Sequence, residues 1–468
     1  MKVIKFLFVA LAIVVSHCLP AQKVPKITIN IANNQDSVLY LCYTYGDQLL
    51  LRDSAKIKNN KFIFKDDKIY SSGMYFLVNQ NKHKLFDVLI DDNYKNFEIA
   101  LNNKNILSSL SAKNSKINSD YFDYLRFINL KQREVSPYVE QIQKVERESE
   151  SFYQIKKEIG LIEYQVENYI QNIINKNQNN VLGLLLKASL PTENPKSSNP
   201  NLTDEEAYSQ YLDNFFLNFD VADVRLLRTP IYQDKINEYL DEITIQSPKR
   251  IIFSVDKLIE RVINSEEVLE YLLWHVTAKY EEKITSQMGF DAIFVHIIDQ
   301  YYIRGIDTWT TKSIVDALIN KANEMRATLI GEKAPNIELY HNNKAVSLYD
   351  INAPFTLIYF WTDDCGNCKK VTEHLLKVYS SFQSNYGLEI FGVYAGHSLD
   401  DMNAYINENN IKWSNAALQT SEDIDYVYLY NVSSTPYLLL IDVEKNIISK
   451  RFIPEDLEII IRWKIGEW

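Results

Sequence analysis

The sequence is poor in glycine and proline, has few cysteines, and contains no basic run interleaved with aromatic residues. Its 12 glycines and 12 prolines among 468 residues, together with 31 tyrosines, exclude a disordered or low-complexity chain. The formal net charge of −11 argues against nucleic acid and against anionic membrane surfaces as the main partners. Beyond the N-terminal segment, no run is apolar and long enough to span a membrane.

The length of the chain indicates more than one domain. A single hydrophobic core rarely grows beyond about 250–300 residues, and this chain has 468. Hydrophobic residues make up 46% of the sequence, which is enough for ordinary globular cores.

The N-terminal segment "MKVIKFLFVALAIVVSHCLPAQ" has the layout of a secretory signal. Lys2 and Lys5 precede an unbroken apolar run over residues 6–15, and the small residue Ala21 follows. The sequence therefore predicts a signal peptide over 1–21 and a location in the periplasm or cell envelope. A lipid anchor on Cys18 ranks second, because His17 directly precedes that cysteine, and an N-terminal buried helix ranks below both.

Cleavage of such a signal leaves three cysteines, Cys42, Cys365 and Cys368. The last two form a C-x-x-C pair, which is compatible with a redox dithiol, with half of a metal site or with an inert disulfide. A structural zinc site normally needs four ligands, and the sequence has neither a second C-x-x-C nor an H-x-x-x-H partner. In an oxidising compartment two close cysteines form a disulfide unless something reduces them. We interpret Cys42 as a small buried hydrophobic residue in a strand.

Hydrophobic periodicity divides the mature chain into three regions. From 24 to 112 the period is two, as in "KITINI", with turns rich in Asn, Asp and Gly, which predicts a small antiparallel β sandwich or barrel. From 119 to 326 the pattern is helical and predicts an all-α domain. From 331 to 468 strands and helices alternate, and "FTLIYFW" reads as a buried central strand. A fragment that starts near Ile330 is expected to fold independently.

Two local patterns refine the helical region. An apolar heptad stripe runs over three repeats, with members Phe152, Ile155, Ile159, Ile162, Val166, Tyr169 and Ile173. It suits a coiled-coil arm or dimer seam, but more often such a stripe is the core face of a bundle helix, and Gly160 argues against one long helix. Thr203 and Glu206 form a capping-box pattern. Further helices are predicted over 231–243, 252–263, 265–282, 290–301 and 309–327.

The position of the C-x-x-C pair favours redox chemistry. Cys365 directly follows the predicted buried strand and opens a predicted helix, where free N–H groups and the helix dipole stabilise a thiolate. Cys368 lies one turn further on, close enough to close a disulfide and release a mixed-disulfide partner. The acidic pair before Cys365 opposes a thiolate, whereas Lys369 and Lys370 favour it.

Three motifs in the C-terminal region carry a family resemblance. They are "GEKAPNIEL" at its start, "LIYFWTDDCGNCKK" around the cysteines and "VSSTPYLLLID" further on. With these motifs, 331–468 resembles the thioredoxin fold and, within it, the secreted TlpA/ResA-like thiol–disulfide oxidoreductases. The resemblance implies that Cys365 is the attacking thiol and Cys368 the resolving thiol. It also implies that Thr435 and Pro436 form a cis-proline loop facing them. The two preceding regions resemble modules often placed before such domains in secreted bacterial proteins.

The sequence departs from the family at three positions. Tyr359 stands where thioredoxins usually carry a buried Asp, and His397 stands where the related secreted proteins often carry a Glu. Either acid serves as a proton acceptor for the buried second thiol. His397 could replace it, but we prefer to interpret it as a surface-loop histidine. Asn367 replaces the proline often found between the cysteines, so the reduction potential of thioredoxin does not carry over.

The leading prediction is an enzyme that exchanges disulfides with other exported proteins through the Cys365/Cys368 dithiol. Its partners would be disulfide-bearing or dithiol proteins and an upstream reductant, with no cofactor, no metal and no nucleic acid. A thioredoxin-fold peroxidase is an alternative, since Thr362 fits the peroxiredoxin pattern, but Ile358 stands where that pattern needs proline. A binding or scaffold protein with a vestigial redox domain is the third possibility.

Overall fold

The structure of the protein is a computed structural model that describes residues 24–65, 69–284, 288–341, 344–417 and 426–466. The predicted signal segment 1–21, with Cys18 and Ala21, lies outside the described residues. The chain forms two compact units, the first ending at Ile236 and the second beginning at Asn237. The helices predicted as one central domain are therefore divided between the two units. No helix in the described ranges combines the length and the apolar character needed to cross a membrane.

The first unit opens with a β sandwich, as the period-two pattern predicts. Its two four-stranded sheets have the orders β4-β1-β7-β8 and β3-β2-β5-β6, and their inner faces share one core. The alternation in β1 buries Ile27, Ile29 and Ile31 in that core. The strands are β1 (Ile27–Ala32), β2 (Val38–Tyr45), β3 (Gln48–Lys56), β4 (Phe62–Phe64), β5 (Gly73–Asn79), β6 (Lys84–Ile90), β7 (Phe97–Asn102) and β8 (Ser111–Lys113).

The sandwich differs from the prediction in two respects. It is not wholly antiparallel, because β1 and β7 pair in parallel. Between these two strands the chain contributes strands to the other sheet, and β7 then re-enters the first sheet in the same direction as β1. Cys42 lies on a strand as predicted, but it is only half-buried. In β2 the alternating pattern buries Leu39 and Leu41 in the core. The pairing register between β2 and β3 shifts immediately after Leu41.

The helices that precede the seven-stranded sheet of the second unit follow the predicted pattern closely. They are α1 (Ile106–Ser109), α2 (Lys116–Ile142), α3 (Glu150–Lys176), α4 (Val181–Ala188), α5 (Pro195–Ser198), α6 (Asp204–Asn214), α7 (Val224–Leu227), α8 (Pro230–Asn237), α9 (Pro248–Val262), α10 (Glu266–Lys283), α11 (Phe290–Ile297) and α12 (Lys312–Arg326). Short π-helical segments, Glu238–Ile243 and Ile298–Ile303, extend α8 and α11. The largest difference from the predicted bounds is at α9, expected from 252 and observed from Pro248.

The heptad stripe lies on α3, which runs unbroken through Gly160. The expectation that glycine would interrupt the helix is wrong, because a single glycine lowers helix stability by only about 1 kcal/mol and its neighbours sustain the helix. The stripe packs within the chain: the Tyr169 ring stacks on Phe127 of α2 with centroids 3.8 Å apart, and Ile173 joins the sandwich core. At α6 the predicted capping box is present, with both Thr203–Glu206 hydrogen bonds formed.

The second unit contains a seven-stranded sheet of order β10-β9-β13-β12-β11-β14-β15. The strand β11 is central and fully buried, parallel to β12 and antiparallel to β14. Its residues alternate between two cores, with Tyr359 and Trp361 on one face and Ile358 and Phe360 on the other. The elements are β9 (Glu338–His341), β10 (Lys344–Ser347), β11 (Phe355–Trp361), α13 (Gly366–Tyr386), β12 (Leu388–Tyr394), α14 (Leu399–Glu408), β13 (Ser414–Ala417), α15 (Tyr426–Leu429), β14 (Tyr437–Asp442), β15 (Ile447–Lys450) and α16 (Leu457–Ile465).

Within this unit, the end of β15 is tied to the preceding helices. The Lys450 ammonium forms an ion pair with Asp291 of α11, and both side chains are only 2% exposed. The same ammonium donates a hydrogen bond to the Thr328 carbonyl. Next to it, Nη1 of Arg451 donates to the Ile284 carbonyl at the end of α10, at 2.7 Å. The end of α10, the helix α11 and the segment after α12 are therefore tied directly to the edge strand of the sheet.

Candidate active site

The C-x-x-C pair lies where the central strand passes into α13. Cys365 is the N-cap of that helix and Cys368 is its third residue. The two cysteines form a disulfide, with Cα atoms 5.1 Å apart. Cys365 is half-buried, whereas Cys368 is 1% exposed and belongs to the core between α13 and the sheet. An attacking thiol must be reachable, and Cys365 is the more reachable of the two, as the sequence predicts.

The helix N-terminus supplies the polar environment of Cys365. The backbone N–H of Cys368 donates to Sγ of Cys365 at 3.0 Å. Once the disulfide is reduced, the same donor and the helix dipole favour the thiolate over the thiol. The acidic pair before Cys365 is engaged by hydroxyl donors. Thr362 donates to Asp364 at 2.7 Å, and Tyr394 donates to Asp363.

The proline loop faces the disulfide, and the bond between Thr435 and Pro436 is cis, as predicted. The Thr435 carbonyl oxygen lies 3.4 Å from Sγ of Cys365. All four residues predicted for the site, Cys365, Cys368, Thr435 and Pro436, are therefore brought to one place, although 70 residues separate the first cysteine from Thr435.

Tyr359 occupies the buried position beneath the second cysteine. Its hydroxyl donates to the Cys368 carbonyl at 2.9 Å and lies 3.1 Å from Oγ1 of Thr372. Burial raises the pKa of this phenol well above its ordinary value. A neutral phenol holds the first turn of α13 in place, but at neutral pH it cannot accept a proton from Cys368 as a carboxylate would.

Two further residues in this part of the fold, Trp361 and His397, have simpler roles. Trp361 is buried beside the site, where its indole N–H donates to Asn415 at 3.1 Å and its ring packs edge-on against Tyr394. His397 is exposed in the segment between β12 and α14, and the hydrogen bonds of the described residues include none from His397 to either cysteine. This placement agrees with a surface-loop histidine.

A groove of about 510 Å³ opens beside the disulfide. Three chain segments line it: the first turns of α13, the proline loop with the start of β14, and the connection from β15 to α16. Its lining residues are Asn367, Lys370, Val371, Ser433, Ser434, Pro436, Tyr437, Leu438, Arg451, Phe452, Ile453, Pro454 and Glu455. The sequence does not reveal the third wall, residues 451–455, because no motif marks it and only the folded chain brings it to the cysteines.

Two family profiles match parts of the chain. One, described as thioredoxin-like, matches residues 354–447, and the other, a domain of unknown function (DUF4369), matches residues 26–121. The second unit therefore contains a thioredoxin-like domain, and the β sandwich coincides with the second profile. No curated protein matches the chain at a significant level.

Several solved structures are similar to parts of the chain. A thioredoxin-like protein from Bacteroides caccae is 18% identical, with a TM-score of 0.46, covering 57% of this chain and 95% of that one. The thioredoxin domain of a thiol-disulfide oxidoreductase from Bacteroides vulgatus is 28% identical, with a TM-score of 0.27, covering 29% and 97%. A thiol:disulfide interchange protein from a Bacteroides species is 28% identical, with a TM-score of 0.27, covering 29% and 90%.

Proposed function

We propose that the protein is a thiol–disulfide oxidoreductase of the TlpA/ResA-like type that exchanges disulfides with other exported proteins. One observation carries the proposal. A half-buried cysteine at a helix N-terminus is closed into a disulfide with a buried cysteine, opposite a cis-proline, within a thioredoxin-like domain. An inert structural disulfide requires neither the helix N-terminus at Cys365 nor the proline loop beside it.

The reaction begins from the reduced dithiol. The Cys365 thiolate attacks one sulfur of a substrate disulfide, so that a bond forms between Cys365 and that sulfur while the other substrate cysteine leaves as a thiolate. Cys368 then loses its proton and attacks Sγ of Cys365, which releases the second substrate cysteine as a thiolate. The substrate gains two electrons and the protein ends as the Cys365–Cys368 disulfide. An upstream dithiol reductant returns it to the reduced state, and the reverse sequence oxidises a substrate.

The proton of Cys368 needs an acceptor during the second step. Tyr359 occupies the position of the usual buried acid and remains protonated, so the proton passes to solvent or to the substrate thiolate that has just been released. The resolving step should accordingly become faster as the pH rises towards the ordinary range of thiol pKa values.

The proline loop and the groove supply the binding surface. The Thr435 backbone lies beside Cys365, so an extended substrate segment can pair with it while a cysteine of that segment reaches Cys365. The apolar part of the groove, with Val371, Leu438 and Phe452, would receive the neighbouring side chains of that segment.

Reduction of insulin disulfides by the protein, with dithiothreitol as the reductant, tests the proposal. We expect turnover that disappears in the Cys365→Ser variant. Consumption of hydrogen peroxide without insulin reduction would indicate the peroxidase instead, although Ile358 is buried in the sheet at the position where the peroxiredoxin pattern has proline. If the protein neither reduces insulin nor consumes peroxide, it is a binding or scaffold protein instead.

Export is part of the proposal and rests on the N-terminal sequence. Mass spectrometry of the protein isolated from its host should give a mature chain that begins at Gln22, without a modification. Retention of residues 1–21 would contradict export by a cleaved signal, and a diacylglyceryl group on Cys18 would replace the periplasmic form with an anchored one.

A further inference from the structure

The groove beside the dithiol presents two cations, Lys370 on one wall and Arg451 on another. Among the described residues, no carboxylate lies within ion-pair distance of either one. The groove also contains one anion, Glu455, whose carboxylate lies 3.7 Å from Nδ1 of His374. The chain as a whole has 61 acidic and 50 basic residues, so two cations without carboxylate partners at one groove are not explained by an excess of basic residues.

Arg451 is held in position before any substrate arrives. Its Nη1 donates to the Ile284 carbonyl at 2.7 Å, and its guanidinium lies over the Tyr437 ring, 5.9 Å from the ring centroid, which is within the distance of about 6 Å expected for a cation–π contact. The backbone N–H of Arg451 donates to Leu438 of β14 at 2.9 Å. A guanidinium has five N–H donors, so its contact with Ile284 leaves donors for another acceptor. Because the side chain is already ordered, it loses little entropy on binding an anion.

We propose that the groove selects substrate segments that carry a carboxylate next to the reacting cysteine, with Arg451 as the main specificity-determining residue and Lys370 as the second. The proposal rests on the proposed function, because it assigns a substrate preference to the same dithiol. Arg451 recognises the carboxylate with a planar pair of donors, and Lys370 adds an exposed charge on the wall formed by α13. The helices before the sheet take part indirectly, since the Ile284 carbonyl at the end of α10 positions Arg451.

Three peptides of identical length test the preference. Each has one cysteine, joined through a disulfide to thionitrobenzoate, and the residues on both sides of that cysteine are Glu, Gln or Lys. The pre-reduced full chain reacts with each peptide in a single turnover. The Cys365 thiolate attacks the peptide sulfur and releases coloured thionitrobenzoate; Cys368 then loses a proton and displaces the peptide thiolate. Each turnover consumes one peptide disulfide and one protein dithiol. It produces one protein disulfide, one peptide thiol and one thionitrobenzoate.

We expect the Glu peptide to react about fivefold faster than the Gln peptide, and the Lys peptide to be slowest, at low ionic strength. The ratio for Glu over Gln within each variant removes any effect on the reactivity of the dithiol itself. Arg451→Gln should bring this ratio below about twofold, Lys370→Gln should lower it partly, and Arg451→Lys should retain part of it. High salt should reduce the ratio for the unmodified chain.

Lys369→Gln is the matched control, because Lys369 neighbours Lys370 on α13, is likewise exposed, and does not line the groove. It should leave the ratio unchanged. Equal rates for the Glu and Gln peptides, a ratio that Arg451→Gln does not change, or equal effects of the two lysine variants would each overturn the proposal. If the Gln peptide also reacts no faster with the unmodified chain than with Cys365→Ser, the proposed function itself fails.

Discussion

Removing the carboxylate of Asp291 is expected to destabilise the second unit strongly. Asp291 and Lys450 are both 2% exposed, so Asp291→Ala leaves a buried ammonium without its counter-charge. Burial already lowers the pKa of Lys450, and the neighbouring Asp291 opposes this shift. Breaking one side of a buried ion pair costs about 3–5 kcal/mol, whereas an exposed pair contributes at most about 1 kcal/mol. We therefore expect a loss of about 3–5 kcal/mol in the free energy of unfolding.

Hydrogen exchange in a urea series, read on peptides from α11 and β15, measures this loss within the full chain. With a urea dependence of about 2 kcal/mol per molar, the unfolding midpoint of these peptides should fall by about 2 M. Asp241→Ala is the matched control, because Asp241 pairs with Lys279 of the same unit at 2.6 Å but both side chains are partly exposed. Its cost should stay below about 1 kcal/mol.

The double variant Asp291→Leu with Lys450→Met completes the test. Replacing a buried ion pair by apolar residues of similar volume is often neutral or stabilising, so much of the lost stability should return. Equal costs for Asp291→Ala and Asp241→Ala would refute the reasoning, because the Asp291–Lys450 pair would then behave as a solvated one.

Three further predictions follow from the same contacts. A fragment beginning near Ile330 lacks Asp291 and the Thr328 carbonyl, so thermal unfolding should show it to be less stable than a fragment beginning at Asn237; equal melting temperatures would argue against the tie at β15. Tyr359→Phe should lower stability by about 1 kcal/mol and change the insulin reduction rate by less than about tenfold, since the phenol anchors the Cys368 carbonyl without exchanging protons; a loss of a hundredfold or more would make Tyr359 an acid–base group. Burial raises the pKa of the Cys42 thiol, so iodoacetamide should label Cys42 at pH 8 more slowly than it labels a free thiol, and the rate of Cys42 labelling should increase at higher pH. Peptide mapping measures this rate, and labelling of the folded chain as fast as of the chain in urea would contradict the half-buried position of Cys42.

The sequence predicts where the two cysteines lie in the fold because the determinants of that placement are local. The apolar run of β11 and the cysteine spacing at the start of α13 each lie within a few residues, and each has a direct consequence for the backbone. The sandwich and most helices are predicted for the same reason, since period and capping are properties of short segments. The cis bond at Pro436 is expected only from the family resemblance, because most X–Pro bonds are trans.

What the sequence does not reveal depends on distant pairing. The parallel alignment of β1 with β7 follows from the order in which strands enter two sheets. Lys450 reads as an ordinary edge-strand charge, and only the fold brings it to Asp291, 159 residues away. Arg451 is likewise unremarkable in "NIISKRF" until the end of α10 and the groove are placed beside it.

Mixed-disulfide trapping tests the central claim most directly. In a Cys42→Ala background, so that no other described thiol competes, Cys368→Ser and Cys365→Ser variants are incubated with an unfolded, disulfide-bearing protein and analysed by non-reducing mass spectrometry. We expect a covalent adduct through Cys365 in the first variant and none in the second, because the half-buried helix-capping cysteine attacks and the buried one resolves. Equal adducts in both variants, or no adduct in either, would contradict it.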